Sequence, residues 1–228
     1  MVDSTDSRPD AARQRIVKRW LFGLFCATWV VSCLYPPYPQ ELILQHIPTG
    51  LAIGALIVID RFQALSLHSY AATLAFLLLH LLGARYLYSN VPFDEWSQML
   101  LGFDPSVSLG WRRNHYDRLV HFCYGLLFVG VIREFLERRL ALSRAASHVI
   151  AIGMIVASGT IYELLEWFIA LALSPDAAEA YNGQQGDMWD AQKDMALALG
   201  GALVGTLIAM CRDQRASLRA APADQQSV

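Results

Sequence analysis

The sequence predicts an all-α, polytopic membrane protein with about six transmembrane helices and both termini in the cytoplasm. Of its 228 residues, 55% are hydrophobic and only 17% are charged, whereas a typical soluble domain has about 25% charged residues. The apolar residues form long continuous runs rather than the alternating pattern of barrel strands. The formal net charge of −2 and the high apolar content exclude a disordered chain and a basic nucleic-acid-binding protein.

Six apolar stretches approach the roughly 20 residues that a helix needs to cross the hydrocarbon core of a bilayer. They cover residues 19–35, 42–59, 67–84, 118–136, 148–173 and 194–211. Together they form one transmembrane domain, residues 19–211. The polar segments 1–18 and 212–228 are predicted to be disordered cytoplasmic tails.

The basic residues predict how these spans are oriented. With the N-terminus inside, the outer segments hold only five of the 18 Lys and Arg residues. These five are Arg85, Arg112, Arg113, Arg118 and Lys193. Because the cytoplasmic loops of membrane proteins carry the excess of positive charge, this asymmetry places both termini in the cytoplasm.

Ionisable side chains inside membrane spans are costly and therefore mark candidate functional sites. Glu163 and Glu166 lie well inside the fifth span, towards its outer end. Two further polar stripes lie at the outer ends of neighbouring spans: Asp117 and His121 where the fourth span begins, and Asp187, Asp190 and Asp194 in the segment that leads into the sixth. In each stripe the spacing places the residues on one helix face. Because the three polar stripes lie at a similar depth, we expect them to line one outward-facing cavity.

Several kinds of chemistry are compatible with this cavity. General acid–base catalysis uses such side chains, and the candidate catalytic residues are Asp117, His121, Glu163 and Glu166. Carboxylates with an imidazole also bind divalent metal ions, and the candidate ligands are Asp117, His121, Glu163, Glu166, Asp190 and Asp194. No cofactor is identified by the sequence itself.

The remaining polar residues at the outer end are candidate binding residues. They are Arg112, Arg113, Arg118, Asp187, Asp190 and Asp194. The arginines could hold a phosphate or carboxylate headgroup by paired hydrogen bonds. The alternative is that they form structural salt bridges with Glu163 and Glu166.

The outer loop at residues 85–117 adds a second membrane feature. Phe93, Trp96, Leu100 and Phe103 recur at helical spacing, which is typical of a short amphipathic helix in the membrane interface. An acidic cavity beside such a loop favours binding or processing of an envelope lipid or a lipid-linked phosphate. The alternatives are a proton-coupled transporter of a small solute and a non-catalytic envelope scaffold. The expected partners are the bilayer and an envelope lipid, not nucleic acid.

Four segments resemble the YjdF-like bacterial inner-membrane proteins, a family of multi-pass proteins without an established activity. These segments are Tyr88–Trp96, Arg113–Phe122, Tyr162–Trp167 and Gly183–Met195. The resemblance covers about residues 20–211 and implies a multi-pass protein of the bacterial inner membrane.

A looser similarity links the last three spans to VanZ-like membrane proteins, which are associated with resistance to glycopeptide antibiotics. It is carried by the run Asp117–Tyr124, by the pair Glu163 and Glu166, and by the pair Asp190 and Asp194. Here Glu166 and Asp194 replace the glutamine and asparagine of that pattern, so this chain has two additional negative charges.

Overall fold

The computed structural model describes residues 7–39, 41–63 and 65–220, and all of their side chains except those of residues 7–10, 63, 176, 177, 179, 180 and 216–220. Within these ranges the regular structure is entirely helical, which confirms the all-α prediction. The helices there are Ser7–Ser32 (α1), Leu42–Gln63 (α2), Leu67–Tyr86 (α3), Phe93–Leu101 (α4), Pro105–Leu109 (α5), Tyr116–Arg139 (α6), Arg144–Ala172 (α7), Pro175–Asn182 (α8) and Asp190–Ala220 (α9).

Five of the described helices are long and apolar enough to cross a membrane. The crossing segments are Leu42–Phe62, Leu67–Tyr86, Tyr116–Arg139, Arg144–Ala172 and Asp190–Arg215. They cover the second to sixth predicted spans, apart from residue 173 at the end of the fifth. Helix α1 differs because its apolar part begins only after Arg19 and the helix ends at Ser32. The first predicted span, residues 19–35, therefore reaches the length needed for a crossing only with the residues that follow the helix.

Helix α1 nevertheless makes polar contacts at both ends of α3. At one end, Lys18 Nζ donates a hydrogen bond to the carbonyl oxygen of Leu65, two residues before α3 begins. At the other end, Arg85 in the last turn of α3 donates hydrogen bonds to the carbonyl oxygens of Leu34 and Tyr35, at 3.0 and 3.1 Å. Residues 18–35 thus extend over the same thickness as α3, which supports six crossings. The span number and the cytoplasmic termini stay predictions.

We expect green fluorescent protein to fluoresce in bacterial cells when it is fused to either end of the chain, because it folds in the cytoplasm and both termini are predicted to lie there. Alkaline phosphatase fused at either end should be inactive for the same reason. If the N-terminal fusion does not fluoresce while the C-terminal fusion does, the prediction that α1 crosses the membrane is contradicted. Fusion of each reporter after Ser89, in the outer loop, is the control and should give the opposite pattern.

The long helices pack as two groups of three. Phe25, Leu56 and Leu77 form a buried cluster that joins α1, α2 and α3. A second buried cluster, which includes Ile155 and Ala202, joins α6, α7 and α9. Helices α3 and α6 pack against each other and connect the two groups. The end of the bundle at Arg85 and Asp190 is called the outer end below, in accordance with the predicted orientation.

Both predicted tails are partly helical in the structure. Helix α1 begins at Ser7 and α9 continues to Ala220, whereas residues 1–18 and 212–228 are predicted to be disordered. The difference arises because Ala, Arg and Gln are good helix formers, so that the helix of an adjoining span can continue into the polar sequence. The rest of both tails, residues 1–6 and 221–228, lies outside the described residues.

The outer loop contains the predicted short amphipathic helix as α4. Its residues Phe93 and Trp96 pack against the buried cluster of Val91 and Tyr116. Leu100 remains 79% exposed. An exposed apolar side chain beside the ends of membrane spans is typical of an element that lies in the membrane interface.

Candidate functional site

The polar stripes of α6, α7 and α9 meet between these three helices at the outer end. His121 Nε2 lies 3.6 Å from Asp117 Oδ1 and 3.7 Å from Glu163 Oε1. The candidate ligand atoms of Asp117, His121 and Asp194 all lie within 4.8 Å of one another. We call Asp117, His121, Glu163 and Asp194 the polar site.

The close packing of α6 on α9 positions two members of the polar site. Gly125 lies so close to α9 that a Cβ atom there would overlap the Ala198 carbonyl oxygen. One turn earlier on each helix stand His121 and Asp194. Because side chains four residues apart lie on the same helix face, the glycine contact brings these two side chains to face each other.

The polar site is buried and two of its carboxylate oxygens lack a partner. Asp194 is only 2% exposed, and the Glu163 side chain is 10% exposed. Among the described residues, Asp194 Oδ1 and Glu163 Oε1 have no hydrogen-bond partner. A buried polar atom without a partner is costly, and these two oxygens are therefore the unsatisfied acceptors of the polar site.

The nearby arginines bind other carboxylates. Arg113 forms an ion pair with Asp190, and Arg118 forms one with Asp187. Lys193 Nζ lies 2.6 Å from Asp187 Oδ2. We call these five residues the outer ion-pair cluster. The predicted alternative, in which the arginines pair with Glu163 and Glu166, is absent from the ion pairs of the described residues.

The outer ion-pair cluster also holds the segment before α9. Arg113 donates hydrogen bonds to the carbonyl oxygens of Gly183 and Gln184, at 3.3 and 3.1 Å. The backbone N–H of Asn114 donates to Gln185 Oε1 at 2.9 Å. The structure thus gives Arg113 and Arg118 structural partners, whereas Arg112 is exposed at the surface.

Two ionisable groups outside the spans, Asp187 and His115, have pKa values that the charges of the outer ion-pair cluster help to shift. The hydrogen bond from Lys193 lowers the pKa of Asp187, and the backbone N–H of Trp189 and the Arg118 side chain add to this effect. Asp187 therefore stays ionised in mild acid. Burial lowers the pKa of His115, as do Arg118 and Arg113. Its Nδ1 lies 3.1 Å from Arg118 Nη1 and can accept a hydrogen bond from it while the imidazole is neutral.

Two cavities lie on either side of the polar site. The outer cavity has a volume of about 300 Å³. Its lining residues are Pro48, Ala52, Phe76, Leu77, His80, Tyr88, Asp117, Val120, His121, Tyr124, Ser158, Gly159 and Tyr162. The side cavity measures about 260 Å³ and is lined by Glu163, Glu166 and Asp190, among others. Glu166 therefore lies at the side cavity and not in the group of Asp117, His121 and Asp194.

Three residues at the outer cavity do not stand out in the sequence. Tyr88 hydrogen-bonds His80 Nδ1, and burial raises the pKa of the Tyr88 hydroxyl well above its ordinary value. Ser158 Oγ lies 2.6 Å from the hydroxyl oxygen of Tyr124. Tyr162 stands beside Glu163 in the chain. Tyr88 and Tyr162 belong to two of the segments that resemble YjdF-like proteins, but serine and tyrosine are common in spans and loops. Only the fold therefore shows that these three residues lie at the outer cavity.

A bundle of apolar helices with a buried polar site between three of them defines a multi-pass helical membrane protein. Residues 17–215 match the family described as predicted membrane protein (DUF2238), and the chain belongs to that family. The chain is 33% identical over 178 residues to the inner membrane protein YjdF of Escherichia coli (strain K12). The aligned residues cover 78% of this chain and 80% of that protein.

These comparisons confirm the resemblance to YjdF-like proteins and place the chain in the bacterial inner membrane as a multi-pass protein. The matched residues include all three helices of the polar site. The similarity to VanZ-like proteins stays a prediction. No solved structure matches this chain with significance.

Proposed function

We propose that this protein binds an envelope lipid in the outer cavity, with the polar headgroup at the polar site and an apolar chain against the opposite wall. The observation that carries the proposal is the division of the cavity wall. Pro48, Ala52 and Phe76 are apolar and line one part, whereas Asp117 and His121 line another. An amphiphilic ligand matches such a wall, because each of its parts meets surface of similar polarity.

The size of the outer cavity requires the ligand to extend beyond it. Its volume of about 300 Å³ is at the lower end of the range for ligand sites. The cavity therefore accommodates a headgroup and only the first part of a chain, and the rest must pass between helices.

We place the path of the chain between α2 and α7. Helix α2 packs on α3, and α7 packs on α6, α8 and α9, but α2 and α7 do not pack extensively on each other in the described part of the structure. Both helices contribute to the cavity wall, through Ala52 and Gly159 respectively. A lipid from the surrounding bilayer would therefore enter the cavity between these two helices.

Proton transfer to the bound headgroup is part of the proposal. His121 and Glu163 face each other across 3.7 Å, and neither is bonded to an arginine in the described structure. A headgroup oxygen near this pair could exchange a proton with either side chain. Asp117 would orient His121, and Glu166 would take part in the proton transfer from the side cavity. Arg113 and Arg118 would support the site indirectly, by holding the segment before α9.

Filling the outer cavity tests the proposal. Gly159 lines the cavity, and a Cβ atom there would meet no other atom within 4 Å. We therefore expect Gly159→Leu to fold normally and to remove co-purifying lipid, because its side chain occupies the space of the ligand. The measurement is mass spectrometry of the lipids that remain bound to protein purified in mild detergent.

The matched control is Gly153→Leu on the same helix. Gly153 is exposed and also has no atom within 4 Å of a Cβ, so this variant should retain the lipid of the natural protein. Equal lipid content in both variants, with both folded, would contradict the proposal.

Proton-coupled transport is the second candidate, and one feature of the inner end favours it. An inner cavity of about 750 Å³ is lined by charged residues, among them Arg133, Glu134 and Glu137. Phe76, which lines the outer cavity, packs against Phe128 with ring centroids 5.2 Å apart. A transporter would need a passage between the inner and outer cavities, and we infer that this ring contact would have to open. Proton-coupled transport would be supported if proteoliposomes that contain the natural protein showed a proton flux and those that contain Glu163→Gln did not.

A further inference from the structure

We propose that the polar site binds one divalent metal ion through Asp117, His121 and Asp194, with the fourth position open and Glu163 next to the ion. The ion is of the Zn²⁺ or Mn²⁺ type. With the ion bound, His121 serves as a ligand and proton transfer to the headgroup falls to Glu163. The inference goes beyond lipid binding and does not depend on it, because all three ligands belong to the chain itself. It follows from the distances, the unpartnered oxygens and the charge of the site.

The distances within the polar site fit ligands that share an ion. His121 Nε2 is 3.6 Å from Asp117 Oδ1 and 3.7 Å from Glu163 Oε1, which is too far for hydrogen bonds. Two ligands that are each about 2.0–2.2 Å from a tetrahedral ion lie roughly 3.3–3.6 Å apart. The separation of 3.6 Å between His121 and Asp117 already fits this range. The candidate atoms of Asp117, His121 and Asp194 lie within 4.8 Å of one another, so that the set must contract by no more than about 1.5 Å to share an ion.

The unpartnered oxygens are a second and independent observation. Asp194 Oδ1 and Glu163 Oε1 are buried and have no hydrogen-bond partner among the described residues. Asp194 is only 2% exposed. Desolvated carboxylates in proteins are normally paired with a positive charge or bound to a metal. A cation between α7, which carries Glu163, and α9, which carries Asp194, would satisfy both oxygens.

The two arginines nearest the polar site in the sequence of α6 and the loop before it are bound elsewhere. Arg113 and Arg118 form ion pairs with Asp190 and Asp187, and in the described structure neither forms an ion pair with a member of the polar site. The three carboxylates there are accompanied by a single basic side chain, His121. A divalent ion would offset the excess of negative charge.

The donor set indicates the type of ion. An imidazole nitrogen favours Zn²⁺, Mn²⁺ or a similar transition metal over Ca²⁺, which binds six to eight oxygens. The ion would also explain how an acidic site could hold a phosphate headgroup, since one phosphate oxygen could bind to its open coordination position.

Metal analysis of the purified protein tests the inference. The protein is stripped with chelator, reloaded separately with Zn²⁺, Mn²⁺ and Mg²⁺, desalted and analysed by mass spectrometry of the elements. We expect one Zn²⁺ or Mn²⁺ per chain and little Mg²⁺. Asp194→Asn and His121→Gln should each lower the affinity by about 100-fold or more, because both remove a direct ligand and even outer partners contribute 10–100-fold.

The matched control is Asp213→Asn, which makes the same substitution on α9 at the inner end, where Asp213 lies 3.1 Å from Arg133. This variant should bind metal like the natural protein. No stoichiometric metal in the folded natural protein, or equal binding by Asp194→Asn and Asp213→Asn, would overturn the inference. Gly159→Leu separates the two proposals, because it should lose lipid and keep the metal.

Discussion

Replacing Gly201 by alanine is expected to destabilise the helix bundle by about 2–3 kcal/mol, the upper part of the usual range of about 1–3 kcal/mol for overpacking in a close-packed interior. Gly201 packs directly on α6, where a Cβ atom would overlap the Phe122 carbonyl oxygen and lie 2.8 Å from the Leu126 nitrogen. Both are backbone atoms that cannot rotate away, so the two helices would have to separate.

Gly200 is the control for this prediction. A Cβ atom at Gly200 would meet no other atom within 4 Å, and alanine is favoured over glycine in a helix by about 0.5–1 kcal/mol. Gly200→Ala should therefore be neutral or slightly stabilising. The measurement is reversible unfolding in mixed micelles of mild detergent and sodium dodecyl sulfate. Equal stability of the two variants would contradict the packing described here.

Replacing Arg113 by methionine is expected to cost about 3 kcal/mol of stability, since removing one partner of a buried ion pair leaves the other charge uncompensated. The side chains of Arg113 and Asp190 are 8% and 6% exposed. Arg118 lies 3.6 Å from Asp190 Oδ1 and compensates only part of the loss. The same unfolding assay measures the effect.

Arg112→Met is the control for the second prediction, because Arg112 is the preceding residue and is exposed. Surface substitutions of this kind usually change stability by less than about 0.5 kcal/mol. The double variant Arg113→Met with Asp190→Asn should recover part of the loss, since it removes both charges of the pair. If the double variant is no more stable than the single one, the ion pair does not carry the effect.

The membrane class and the crossing helices could be predicted because they depend on local composition. Hydrocarbon cannot satisfy backbone polar groups, so a long apolar stretch must form a helix wherever it lies in the chain. Helix α1 shows the limit of this argument. Its apolar part is short, and its position along α3 depends on contacts of Lys18 and Arg85 with distant residues.

The outer acidic residues show a second limit. Helical spacing predicts that Glu163 and Glu166 share a face, and both line the side cavity. Spacing cannot predict that only Glu163 comes within 3.7 Å of His121. It also cannot assign partners to Arg113 and Arg118, because these ion pairs join residues that are about 70 positions apart in the chain.

The all-helical membrane class and the faces on which the polar side chains lie can be predicted from the sequence, because both depend on neighbours within one or two helical turns. Which of these faces meet depends on how the helices pack. The contacts of Gly125 and Gly201 with the α9 and α6 backbones set the distance between these helices. That distance brings Asp194 to His121, since glycine alone permits helices to approach so closely.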